Sequence, residues 1–193
     1  MRELKYSDDK ISLLVKAYGE GAIMHYHDPF KEDYMLLHCL LRSVNPTSVF
    51  EIGCNEGVGT EIICNAVPSA KVYSLDLPLE LSHLSKQHPS SEGKGDDKVG
   101  WRCKLPFTLL LGDSMLFDYS KYPCEAYFID GEHTFVNVRS ETKAVLKQNP
   151  KIVIFHDADM PEVWDGIVDA IMGREDYELT RVVDTRIAYL KRK

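Results

Sequence analysis

The chain has 193 residues, a net charge of −7, 44% hydrophobic and 27% charged residues, the make-up of one globular domain with room for a sizeable core. That charge argues against a nucleic-acid partner, since the basic cluster Lys191-Arg192-Lys193 reads as a solvated end. No apolar run approaches the ~20 residues needed to span a bilayer, and the N-terminus carries no apolar signal region, so a cytoplasmic protein with no membrane partner is expected.

Lys10 to Tyr18 is an amphipathic helix candidate. A longer helix starts at Asp28-Pro29, with Asp as N-cap and Pro at the first helical position, continues through Phe30, Tyr34, Leu37 and Leu41, and stops at Asn45-Pro46. Short apolar strands are predicted at 48–52, 71–75, 107–111, 125–129 and 152–156, of the kind covered on both faces. Helices fall at 60–66, 134–147 and 161–172, the last stopped by Gly173. Residues 177–183 and 186–190 flank Asp184-Thr185 and read as a hairpin. The order implies a single α/β domain: a Rossmann-like, doubly wound, mostly parallel seven-stranded sheet with one antiparallel strand from the C-terminal hairpin. The polar segment 83–104 lacks periodicity and is expected to be a surface loop or a lid over the substrate. Five cysteines (39, 54, 64, 103 and 124), odd in number and without a C-x-x-C pair, read as free thiols in a reducing compartment. Cys54, although in the glycine loop, has no activating base in the sequence and is read as a neighbour of the site rather than a nucleophile.

The segment Glu51-Ile-Gly-Cys-Asn-Glu-Gly-Val-Gly-Thr60 carries most of the functional information. Gly53 can turn the chain sharply off its strand, and Gly57 and Gly59 allow close approach to the backbone. This is the first βα turn of a nucleotide-binding fold, where ligands sit beyond the carboxyl ends of the strands. The glycine order is G-x-x-x-G-x-G, with Asn55 where the second glycine of the dinucleotide fingerprint would stand, and Glu51 is a poor neighbour for a pyrophosphate. The motif resembles the first motif of class I S-adenosylmethionine (SAM) methyltransferases, closest to the catechol O-methyltransferase-like enzymes. That resemblance covers residues 28–190 and implies SAM contacts from Glu51, Gly53, Asn55 and Gly57.

Four strands end in acidic residues. Asp76, about 25 residues after the glycine loop, suits the ribose hydroxyls of SAM or of NAD alike. Asp113-Ser114 in the resembled enzymes lies beside the adenine and accepts from its exocyclic amine. Asp130, Glu132 and His133 follow one strand and His156-Asp157 the next, so Asp130, His156 and Asp157 can converge on a divalent metal. In the resembled enzymes three acidic or amide groups here hold Mg²⁺. Asp130 and Asp157 match, while His156 departs and suits Mn, Fe or Zn better than Mg, or stands outside the ligand set. Asp130-Gly-Glu-His133 with His156-Asp157 looks most like the methyltransferase domain 24 family. Asp130 is expected at both the cofactor and the metal. His133, whose ordinary pKa near ~6.5 suits a base, and Glu132 are the catalytic candidates, against a role for His133 as a helix cap. Trp164, His25, Tyr26 and His27 are named as residues that could shape an acceptor pocket.

The expected activity is transfer of a methyl group from SAM to a hydroxyl of a small molecule, with a divalent metal (Mg or Mn) and a homodimer as an open assembly. The alternatives are an NAD-dependent oxidoreductase, a non-catalytic SAM-binding relative, and a metal-dependent hydrolase.

Overall fold

The computed structural model describes residues 1–23, 31–78, 81 and 98–193. The predicted helix start at Asp28-Pro29, Phe30, the residues His25, Tyr26 and His27, and positions 83–97 of the polar segment lie outside the described residues. In chain order the elements are β1 (Arg2–Leu4), α1 (Asp9–Tyr18), α2 (Lys31–Val44), β2 (Ser48–Ile52), α3 (Val58–Ala66), β3 (Lys71–Asp76) and β4 (Thr108–Leu111). They continue with β5 (Ala126–Ile129), α4 (Phe135–Leu146), β6 (Ile152–Phe155), α5 (Pro161–Ala170), β7 (Tyr177–Val182) and β8 (Ala188–Arg192).

Among the described residues, one sheet holds eight strands in the order β1-β7-β8-β6-β5-β2-β3-β4. β8 runs antiparallel to both β6 and β7, and the remaining pairings are parallel. The sheet therefore has one strand more than the seven expected. The addition is β1, whose three residues pair with Thr180, Arg181 and Val182. Three residues are too short to show a period of two, so the sequence carried no strand pattern there.

Strand alternation distributes the core to two faces. Val49, Phe128 and Ile154 point to the side covered by α1, α2 and α3, where Ile11, Leu37, Leu41, Ile62 and Ile63 pack on them. Phe50, Tyr127, Ile129, Val153 and Phe155 point to the side covered by α4 and α5, against Val138, Val145, Val163 and Ile167. These central strands are fully buried on both faces, which is why they read as continuous apolar runs rather than alternating ones. Thr134 caps α4 by accepting from the Asn137 backbone N–H, and Pro161 opens α5.

Register positions the site. Ile52 is level with Leu75 on one side and Ile129 on the other, and Ile129 is level with Phe155. The residues that follow, Gly53, Asp76, Asp130 and His156, therefore leave the sheet side by side at its carboxyl edge. Because β8 is antiparallel to both β6 and β7, β7 runs in the direction of β6 and the β7–β8 turn reaches that edge too.

Candidate active site

The glycine loop is held by its neighbours on every side. Gly53 has φ +96°, and a Cβ there would stand 2.0 Å from the Asp130 carbonyl oxygen. Only glycine lets the end of β2 lie this close to the end of β5. Asn55 has φ +47°, a left-handed conformation that asparagine tolerates better than other side chains. Its backbone N–H donates to Asp76 Oδ2 at 2.5 Å, and the Leu77 N–H donates to Oδ1 at 2.7 Å. Asp76 thus ties the second strand-end to the loop.

Glu51 is 1% exposed, so it lies beneath the loop. Its carboxyl accepts from Thr60 Oγ1 and from Ser74 Oγ. Burial pushes its pKa up to about 8, more than those two hydroxyls pull it down. The sequence leaves Glu51 either at the cofactor or as an indirect support of the loop, and its burial and its partners on α3 and β3 favour the support role. Gly57 has φ +95°. The space a Cβ would take is filled by the Gly100 backbone at 2.9 Å, so the close approach there is to the chain itself. Residues 98–104 of the polar segment pack on the loop: the Gly100 N–H donates to the Asn55 carbonyl and the Arg102 N–H to the Glu56 carbonyl, each at 2.8 Å. Cys54 is buried, and burial pushes its thiol up to about 12, in keeping with a neighbour rather than a nucleophile.

Asp113 is exposed, and its Oδ1 accepts from the Met115 N–H at 2.8 Å. The Ser114 hydroxyl is engaged within the protein, donating to Glu141 Oε1 at 2.6 Å. Glu141 is 1% exposed, and burial raises its pKa to about 7. Nothing in the spacing of α4 marked this buried acid.

The convergence of Asp130, His156 and Asp157 is as expected. Asp130, His156 and Asp157 form a potential ligand group, each offering one atom, and these atoms lie within 4.8 Å of one another. His156 Nδ1 is 2.9 Å from Asp157 and 3.2 Å from Asp130. Asp157 has φ +51°, a left-handed conformation that Asp can adopt and that turns the chain at the end of β6. His133 reaches over the same carboxylates, its Nε2 3.1 Å from Asp157 and 3.8 Å from Asp130. Because Thr134 supplies the α4 cap, His133 is released from that duty. Glu132 is exposed beside it.

Three further residues join the cluster that the sequence did not single out. Arg186, in the β7–β8 turn, donates from its guanidinium to Asp157 Oδ1 at 2.7 Å. Asp33, from α2 and 4% exposed, accepts the Arg186 backbone N–H at 3.0 Å and stands 3.4 Å from His156 Nε2. Tyr34 stacks on the His156 ring at 6.3 Å between centroids. Burial opposes charge on His156, but Asp130, Asp157 and Asp33 together override it and push its pKa up to about 12. Burial likewise opposes charge on Asp157, yet His156, His133 and Arg186 hold its pKa down at about 2. Its contact with Asp130, assisted by Asp157, raises His133 above the ordinary imidazole value despite partial burial.

A divalent cation fits this donor set. Ligands at right angles around an ion at ~2.1 Å stand about 3 Å apart, close to the His156–carboxylate separations. A metal-bound imidazole is neutral, so an ion and the His156 proton compete for one place. Trp164, which the sequence leaves between a pocket role and ordinary packing, packs against the core with Arg181 4.7 Å over its ring. A 430 Å³ surface cavity lined by Arg42, Pro46, Thr47 and Pro68 lies at the opposite, amino edge of the sheet, away from these groups.

This architecture is the Rossmann-like α/β fold of O-methyltransferases. An O-methyltransferase from Bacillus cereus, solved with S-adenosylhomocysteine, matches with TM-score 0.58 at 15% identity over 96% of this chain and 92% of that one. TomG from Streptomyces achromogenes, an O-methyltransferase of tomaymycin synthesis solved with SAM, matches at 0.57 and 14% identity, over 97% and 91%. MycE of the mycinamycin pathway, solved with Mg and S-adenosylhomocysteine, matches at 0.55 and 18% identity, over 94% of this chain and 54% of that one. No family model and no curated protein matches the sequence.

Proposed function

We propose that the protein is a SAM-dependent methyltransferase that moves a methyl group to a hydroxyl of a small molecule, assisted by a divalent metal. One observation carries this reading: the glycine loop and Asp76 sit on strand ends directly beside a carboxylate–histidine centre. The Gly53–Asp130 approach joins the two halves. The solved structures of the same fold with SAM or S-adenosylhomocysteine, and in one case Mg, support it.

Bound SAM supplies a methyl group already activated on a sulfonium: the S–CH₃ bond breaks as the O–CH₃ bond forms, and the hydroxyl proton leaves. The divalent ion, when bound, acidifies and orients the acceptor hydroxyl. Asp76 would accept from the ribose hydroxyls. Asp113 and the oxygen of Ser114 would face the adenine amine. Asp130, His156 and Asp157 would hold the ion, with Arg186 fixing the far oxygen of Asp157. His133, half-exposed at the rim of the centre, would take the acceptor proton. Asp130 and Asp157 raise its pKa, and a cation that engages those carboxylates would lower it again, leaving more of the ring unprotonated and able to take a proton. Glu132 is the second candidate base. Glu51 would act beneath, keeping the loop in shape, with Gly59 leaving room for it, since a Cβ there would meet Glu51 Oε1 at 2.6 Å.

The test is transfer of label from methyl-labelled SAM to a panel of small catechols, phenols and hydroxylated sugars, with Mn²⁺ or Mg²⁺ and with a chelator. Labelled product that requires the ion is expected. His133→Ala should lower turnover by about 10²-fold or more while S-adenosylhomocysteine affinity stays within a few-fold. Undiminished turnover in that variant would move the base role to Glu132 or solvent. No labelled product, together with no S-adenosylhomocysteine binding, would overturn the reading.

A further inference from the structure

His156 has two ring nitrogens, and the fold gives them different partners. Nδ1 faces Asp157 and Asp130 at 2.9 and 3.2 Å, while Nε2 faces Asp33 at 3.4 Å on the other side of the ring. The ring cannot easily turn. Tyr34 stacks on it with planes 8° apart, and Phe128 meets it edge-on at 73°. Asp33 is fixed as well, because its Oδ1 accepts the Arg186 backbone N–H at 3.0 Å from the β7–β8 turn. His156 and Asp33 are 6% and 4% exposed, so water does not compete freely for either. The same turn sends the Arg186 guanidinium to Asp157 Oδ1 at 2.7 Å, which leaves Oδ2 facing His156. Three separate elements, α2, the end of β6 and the β7–β8 turn, therefore agree on one ring orientation.

We infer that Asp33 is a positioning residue that makes His156 an Nδ1 metal ligand, and that the resulting one-nitrogen, two-carboxylate set prefers a transition-metal ion such as Mn²⁺ to Mg²⁺. A ligating histidine commonly gives its other N–H to a carboxylate, which fixes its tautomer and raises its basicity. Asp33 stands where that partner belongs. Imidazole suits first-row transition ions best, and Mn²⁺, which shares the carboxylate ligands of Mg²⁺, accepts a nitrogen donor more readily than Mg²⁺, which dehydrates reluctantly and takes oxygen donors. Departure from an all-oxygen set is thus matched by a dedicated support for the nitrogen. The inference rests on the metal-assisted reading above, and its test separates the two.

The experiment is calorimetric titration of the full-length, chelator-treated protein with Mn²⁺ and with Mg²⁺ alone, with S-adenosylhomocysteine binding measured separately on each variant. The wild type should bind Mn²⁺ at least about 10-fold more tightly than Mg²⁺. Asp33→Leu should weaken Mn²⁺ by roughly 10–100-fold with S-adenosylhomocysteine affinity unchanged. Asp33→Asn, whose amide oxygen can take the same place opposite Nε2 and accept from its N–H, should recover most of that loss. His156→Asp should reverse the ion preference toward Mg²⁺. Pulsed electron paramagnetic resonance of the Mn²⁺-loaded wild type should show a directly bound nitrogen, a result that does not depend on any variant folding. Absence of that nitrogen, equal Mn²⁺ affinity in wild type and Asp33→Leu, or no preference for Mn²⁺ would overturn the inference while leaving the methyltransferase reading in place. Failure of the wild type to bind either ion would overturn the metal-assisted part of both.

Discussion

Glu51 is a carboxylate in the middle of a buried strand, satisfied by Thr60 and Ser74. Burial lifts its pKa from 4.5 to about 8, so the folded protein keeps a proton that the unfolded chain gives up near 4.5. Its contribution to stability is complete below that lower value and is lost as pH rises through about 8. Urea unfolding of the wild type should therefore weaken between about pH 5 and pH 9 more steeply than that of Glu51→Gln, which cannot ionise and still accepts from both hydroxyls. Parallel pH profiles would show that Glu51 does not titrate as its burial implies. At this scale the sequence was informative where chemistry follows a strand directly. Asp76, Asp130, His156 and Asp157 all stand at strand ends, and the structure brings the last three together. It was silent on Asp33, Arg186 and Glu141. Each of these meets the site through a fold contact rather than a local pattern, and acidic or basic residues on helices and turns ordinarily read as solvated.

Between elements, the closest tolerance is the crossing of the glycine loop over the end of β5. A side chain at Gly53 would collide with the Asp130 carbonyl and hold a positive φ as well. Gly53→Ala should cost about 3 kcal/mol or more in urea unfolding, and a loss below about 1 kcal/mol would show that the two strand ends can separate. Element type was legible because period and length were clear: helices at 9–18, 58–66, 135–146 and 161–170 fall close to their predicted spans. The hairpin was also foreseen, although β8 begins at Ala188 and runs to Arg192, beyond the predicted end at 190. Thr185 explains the later start: its hydroxyl accepts the Ile187 N–H at 3.1 Å and donates to the Val182 carbonyl at 2.9 Å, widening the turn that carries Arg186. The polar segment showed only its composition, which does not reveal that residues 98–104 lie on the glycine loop through backbone bonds.

Across the whole molecule, the β-and-α alternation predicted the doubly wound sheet, and register does the rest. Four strand ends level with one another make one edge, and the antiparallel β8 folds the last turn back to that edge. β1 escaped prediction because its place is set by β7, nearly the whole chain away. Asp76 by itself suits an adenosine ribose in either SAM or NAD, so the choice of cofactor belongs to the loop and the edge taken together. The central claim is that this edge binds SAM. The most direct measurement is calorimetric titration of the purified protein with S-adenosylhomocysteine, with NAD as the control. Binding of S-adenosylhomocysteine at about micromolar Kd and none of NAD is the predicted result. Binding of NAD alone would contradict the account and put an oxidoreductase in its place.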